Sequence, residues 1–211
     1  MHSAGCKTHT RAFAMRTFSS DIAIANCWNY PTMKSLFVIG LSFVFALLPL
    51  QQGELDGEDT VANFKAAFLF QFAVANNWPP ANDNQGFVIG IVGGESVYNE
   101  LVDKYANKPV GSQVLEVIML DEPSKVAQCE MIYISKAFTK NNGETATRTW
   151  IKASENLPVL VVSDAQNGLD WGAAINFKVV DSRIRYEINT AQAELHQITI
   201  GSKILSWAVQ D

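Results

Sequence analysis

Within residues 59–76, apolar side chains fall at 61, 64, 68, 69 and 72, the period of a helix that buries one face. Asp59 or Thr60 is its candidate cap, and Trp78-Pro79-Pro80 ends it, because proline has no amide hydrogen with which to continue a helix. Past a polar loop at 81–86, residues 87–92 form the short continuous apolar run of a strand buried on both faces. Gly93-Gly94 turns that strand into a second helix over 95–105.

Alternation then predicts a strand over 113–120. Residues 122–128 suit a short helix, 130–135 a strand, 145–154 a helix, and 157–163 a buried strand opened by Pro158. Strands and helices that take turns in this way build a parallel sheet covered on both faces, since a parallel crossover needs a helix-length connection. The tail differs: 174–180 and 183–189 are strands joined by a tight turn at Asp181-Ser182, and 190–196 and 202–209 are helical. The predicted fold is an α/β three-layer sandwich, a mixed, largely parallel sheet flanked by helices, with a C-terminal antiparallel hairpin. The sequence contains no internal repeat, low-complexity segment or interdomain linker.

The amino-terminal quarter has another pattern. From Met33 the chain reads Met33-Lys34-Ser35, then an uncharged apolar run to Leu48, then Pro49 and the polar Gln51-Gln52-Gly53. A basic start, an apolar stretch of about 7–15 residues and a polar continuation have the shape of a secretory signal peptide, and the stretch is shorter than the ~20 residues that span a bilayer. We therefore expect 33–50 to be a signal peptide, 51–211 a single exported domain, and 1–32 a non-native extension upstream of the true initiator Met33. Loss of the leader removes Cys6 and Cys27 and leaves Cys129 without a partner for an internal disulfide. Beside the apolar stretch at 131–134, Cys129 reads as a buried, inert thiol.

With 48% apolar and 18% charged residues, the chain supports one substantial core. The net charge is −5, but the first fifty residues hold four basic side chains and one acidic one, leaving twelve basic against twenty acidic, a charge of −8. A body that acidic repels nucleic acid and anionic lipid, so neither is expected as a partner. One histidine, His196, and one cysteine in the exported domain give no metal-ligand spacing, and no metal or cofactor is expected.

Gly93 and Gly94 stand where a strand hands over to a helix, either a tight turn or a place for an anion. Their spacing matches neither the dinucleotide fingerprint nor a P-loop. Ser163 and Asp164 close a strand, and a serine triad with His196 would need the Gly-x-Ser-x-Gly elbow that the chain lacks. Arg183, Arg185 and Glu187 alternate, so they share one face of their strand, opposite Ile184, Tyr186 and Ile188. That face is either a solvated side with cross-strand ion pairs or a recognition surface. Trp78 and Trp171, both in loops, are lids on the core or contact anchors.

These segments carry a resemblance. Phe64-Lys65-Ala66-Ala67 leading to Phe72 and Trp78-Pro79, the strand and turn Ile89-Gly90-Ile91-Val92-Gly93, and Leu160-Val161-Val162-Ser163-Asp164 resemble the YfiR-like family. So, above all, does Gly172-Ala173-Ala174-Ile175-Asn176-Phe177 followed by Arg183-Ile184-Arg185-Tyr186-Glu187-Ile188-Asn189. The resemblance covers nearly all of the exported domain. It implies a non-catalytic periplasmic protein that binds the sensor part of a membrane-bound diguanylate cyclase or sensor kinase and represses it, as in cyclic di-GMP signalling. Such regulation is a coupling free energy between binding and a distant domain, and needs an interface but no reactive group.

On that reading Arg183, Arg185, Glu187 and Asn189, with Trp171 and Trp78, form the partner surface, and a homodimer is an open alternative. A second reading is a small-ligand sensor holding a solute at the strand ends near Gly93, Gly94, Ser163 and Asp164. A third, a secreted hydrolase, requires His196 beside Ser163. The chain departs from the family in two places: Gly172-Ala173 stands where members carry a glycine pair, and the relatives' internal disulfides have no counterpart.

Overall fold

A computed structural model describes residues 57–80 and 86–209, all within one compact unit. The expected signal peptide at 33–50 and the extension at 1–32 lie outside the described residues.

Helix α1 spans Gly57–Ala75 and turns Ala62, Ala66, Leu69 and Ala73 inward, the i, i+4, i+7 spacing that puts small and branched residues on one face. Asp59 and Thr60, the expected caps, sit inside this helix, which has already begun at Gly57. Strand β1 (Phe87–Val92) and helix α2 (Glu95–Tyr105) follow as their pattern predicts. The chain continues through β2 (Pro109–Val110), β3 (Gln113–Met119), a 3-10 turn at Pro123–Gln128 and β4 (Met131–Ile134). Helix α3 (Lys136–Lys152), β5 (Leu160–Ser163), the hairpin β6 (Ile175–Val180) and β7 (Arg183–Ile188), and helices α4 (Thr190–Leu195) and α5 (Ser202–Trp207) complete it.

The seven strands form one sheet in the order β2-β3-β1-β4-β5-β6-β7. Pairings from β3 through β6 are parallel, and the two edges, β2 on β3 and β7 on β6, are antiparallel. Alternation along each strand divides the apolar side chains between two cores. Ile89, Ile91, Met131, Tyr133, Leu160 and Val162 face α1 and α2, whereas Ile132, Ile134 and Val161 face Trp150 and Ile151 of α3. The first core holds an aromatic cluster of Phe68, Phe72, Phe177 and Tyr186, with Tyr186 edge-on to Phe72 at 4.9 Å and to Phe68 at 5.3 Å. The result is the expected three-layer α/β sandwich.

Two local expectations need correction. The stretch labelled α3 is two helical segments broken at Gly143, which takes the non-helical φ 84°, ψ 174°; the second is the helix expected from 145, and the first, over 136–142, is missed. The Thr139 and Thr147 hydroxyls meet at 3.0 Å across the kink. Strand β2, only two residues long, gives no periodic signal and is missed. The hairpin turn is as read: Asp181 and Ser182 both have positive φ, 49° and 59°, the primed turn that matches strand twist.

Chain order fixes where a site would lie. After β1 the chain crosses over α2 to β3 on one side, and after β4 it crosses over α3 to β5 on the other, with α2 and α3 on opposite faces. Between β1 and β4 the connections diverge, and a crevice opens beyond their carboxyl ends.

Candidate functional site

That crevice has two lobes, of about 660 and about 550 Å³, which share Val61, Lys65, Lys136 and Asp164 as their divide. The first lobe runs along Gly93, Gly94 and Glu95 at the start of α2 and along Ser135, Lys136 and Lys140 at the start of α3. The second is bounded by Gln166 after β5 and by Asn176 and Lys178 of β6, which runs on past the end of β5.

The divide is pre-organised. Asp164 accepts hydrogen bonds from the Lys65 ammonium, from the Lys136 backbone amide and from the Tyr133 hydroxyl, the last at 2.9 Å. The Lys65 and Asp164 side chains are 15% and 7% exposed, so the pair is largely desolvated, and each extra donor offsets the cost of burying the carboxylate. Burial first, and then the neighbouring Asp164 charge, push the Tyr133 phenol well above its ordinary pKa, so it stays a donor. Ser135 ties the two turns together: its hydroxyl donates to Gly93 O at 2.5 Å and accepts from Phe138 N at 3.0 Å as the cap of α3. Gly93 takes φ 64°, and a Cβ there would come within 2.6 Å of the Phe138 Cβ, so the turn needs glycine on both counts.

Of the residues singled out for a solute, Gly93, Gly94 and Asp164 line the crevice and Ser163 does not. Ser163 is fully buried and its oxygen accepts from Ala165 N at 3.0 Å. The triad is not assembled. His196 is buried at the end of α4 with Nδ1 2.7 Å from Leu157 O, and since a carbonyl only accepts, Nδ1 carries the proton. Its Nε2 faces Gln192 at 3.3 Å. Cys129 is buried, and desolvation, with a smaller push from Glu130, raises its thiol to about 12, so it is not a nucleophile at neutral pH.

The residues singled out for a partner are spread over the surface. Arg183 and Arg185 are exposed on β7 and make no ion pair among the described residues, while Glu187 pairs with Lys178 across the hairpin. Ile184, Tyr186 and Ile188 turn the other way and pack on the core. The arginines also rim a groove of about 440 Å³ between the hairpin and α1, floored by Phe68 and Ile184 and flanked by the exposed Phe64 and Val179. Asn189 caps α4 by accepting from Gln192 N at 3.0 Å. Trp78 donates to Ala73 O at 2.8 Å and lies edge-on to Phe87, and Trp171 lies beneath Arg148 at 5.6 Å. Both indoles thus serve as lids on the two cores.

Sequence reasoning missed Lys65, Tyr133, Ser135, Lys136 and Lys140. One signal for Lys65 was present: at 61, 65, 68 and 72 it falls in the apolar stripe of α1, and a lysine there calls for a buried acid. Tyr133 alternates with Ile132 and Ile134 like any core residue, and nothing in its spacing marks the partner.

A family model described as YfiR/HmsC-like matches residues 62–209. That family is known as one of periplasmic regulators. No curated protein sequence matches the chain. Among solved structures, a conserved domain protein from Vibrio cholerae is similar at 15% identity with a TM-score of 0.46, over 70% of this chain and 59% of its own. The chain thus spans less than two thirds of that protein. Among the described residues, no helix is long and apolar enough to cross a membrane.

Proposed function

Because the chain belongs to the YfiR/HmsC-like family, we propose that it is an exported, non-catalytic regulator that docks on the periplasmic part of a membrane-bound signalling protein and represses it. The partner is a diguanylate cyclase or a sensor kinase. The observation that carries this reading is the outer hairpin, where Arg183 and Arg185 stand exposed and without ion pairs among the described residues beside an apolar groove. Apolar surface flanked by arginine is the composition of an interface, because arginine is weakly hydrated and presents several donors to an acidic partner.

The test is capture of periplasmic sensor domains from the same cell by the parent chain and by an Arg183→Glu/Arg185→Glu variant. The parent captures a cyclase or kinase sensor domain, and the variant, still folded by circular dichroism, does not. Equal capture by both would remove the hairpin from the interface. A second reading, solute sensing, is supported by the crevice at the strand ends, since a polar cavity at a topological switch point is where α/β sheets hold ligands.

A further inference from the structure

We propose that the outer edge of β7 takes an extended segment of a partner protein by strand addition, and that this segment carries an apolar residue between two acidic ones. This rests on the docking reading above and names the conformation and chemistry of what docks at the hairpin.

Strand β7 closes the sheet, so one of its two backbone edges has no strand beside it. Which groups that edge presents follows from the hairpin. Val180 and Arg183 flank the two-residue turn, and the pair that closes such a turn exchanges both ladder bonds. Arg183, Arg185 and Glu187 therefore direct their amides and carbonyls at β6, while Ile184, Tyr186 and Ile188 direct theirs outward. Two bonds agree with that parity: Asn189 N donates inward to Ala174 O at 2.8 Å, and Tyr186 O accepts from Val209 N at 2.9 Å on the outer side. The passing C-terminal chain thus covers the edge at Tyr186. The amide and carbonyl of Ile184, nearer the turn, have no partner among the described residues, and an extended chain laid opposite them gains two backbone hydrogen bonds.

Pairing at Ile184 dictates the visitor's sequence. The residue opposite Ile184 lies on the face of Val179, beside Phe64 and Phe68 of α1, where the groove of about 440 Å³ has its apolar floor. Phe64 is 54% and Val179 69% exposed, apolar surface that this residue covers. The residues before and after it fall opposite Arg183 and Arg185, on the other face of the strand. Neither arginine makes an ion pair among the described residues, no acidic residue lines the groove, and Glu187 on the arginines' face is held by Lys178. Acid, apolar, acid is the pattern that satisfies all three positions.

A second copy of this chain is a poor occupant. Antiparallel self-pairing about Ile184 would set Arg183 of each copy opposite Arg185 of the other, and like charges directly opposite destabilise a strand pair. Moving the two-fold to Tyr186 would relieve that clash but needs the carbonyl that Val209 already uses. The arginines thus guard the edge against its own kind while suiting it to an acidic strand.

The test titrates the ¹⁵N-labelled full chain with the capped peptide Ser-Val-Glu-Val-Glu-Val-Ser. Saturable binding is expected to move the Ile184 amide signal and to slow its exchange with solvent. N-methylation of the central valine, which removes the donor to Ile184 O, weakens binding about tenfold, and so does lysine in place of both glutamates. An Arg183→Glu/Arg185→Glu variant reverses the preference and takes the lysine peptide, a gain that a misfolded variant would not show. Undiminished binding of the N-methylated peptide would overturn strand addition, and equal binding of the acidic and lysine peptides by the parent would overturn the acidic assignment. In both cases capture of a sensor domain through the hairpin still stands or falls on its own test. No binding of the acidic peptide at millimolar concentration would overturn the proposal as a whole, again without touching that capture. Protection of Ile184 that grows with protein concentration in the absence of peptide would make a second copy the occupant and overturn it too.

Discussion

The crevice and the hairpin both display charged side chains, but they use them in opposite ways. In the crevice, Asp164 is buried and its oxygens are filled by donors from three separate elements, α1, β4 and the start of α3. On the hairpin, Lys178 and Glu187 pair within one supersecondary unit, and Arg183 and Arg185 are left to solvent. A charge buried among contacts far apart in sequence holds the fold's layers in one arrangement. A charge on a solvated strand face costs the fold little and is free for another molecule.

Asp164→Ala tests the first half of that contrast and carries the largest effect. It strands the Lys65 ammonium, the Tyr133 hydroxyl and the Lys136 amide together, and urea unfolding should show a loss of about 3–5 kcal/mol. A loss below about 1 kcal/mol would place Asp164 with the surface charges. Ser135→Ala removes the cap of α3 and the link to Gly93 O, for about 1–2 kcal/mol by the same measurement. Lys178→Ala, on the hairpin, should cost under about 1 kcal/mol and leave the midpoint nearly unchanged.

Glu130 sharpens the contrast from another side. It is half-buried, where Asp164 is almost wholly so, and is held by backbone amides alone, that of Val88 at 2.6 Å and its own; burial outweighs them and raises its pKa above the ordinary carboxylate value. The folded state therefore holds that proton more tightly than the unfolded chain does. The favourable contribution is complete below the unfolded pKa and is lost as pH rises through the folded one. Glu130→Gln, which keeps an acceptor for Val88, should be more stable than the parent at neutral pH, with the advantage vanishing on acidification below the usual carboxylate range. Equal pH profiles for the two proteins would contradict this.

The strand-and-helix order was legible because β1, β5, β6 and β7 are short apolar or alternating runs bounded by turn residues. What escaped has physical reasons. The first segment of α3 is short and mostly polar, and the non-helical Gly143 cuts it off from the second. The site was half legible: Gly93 and Asp164 stand at strand ends, where chemistry collects, but the lysines that complete the crevice lie on helices whose meeting only the strand order decides. Asn189 and Ser163 were read as surface or ligand groups because sequence cannot show that a cap and a buried turn already occupy them.

Regulation through the hairpin can be read in living cells by placing a photo-crosslinking amino acid at Arg185 and irradiating. The expected result is a covalent adduct with the periplasmic part of a membrane-bound cyclase or kinase, identified by mass spectrometry, and no such adduct from the same probe at Lys152 on the far helix. Adducts only between copies of this chain, or identical adducts from both positions, would contradict the proposal that the hairpin docks on a signalling partner.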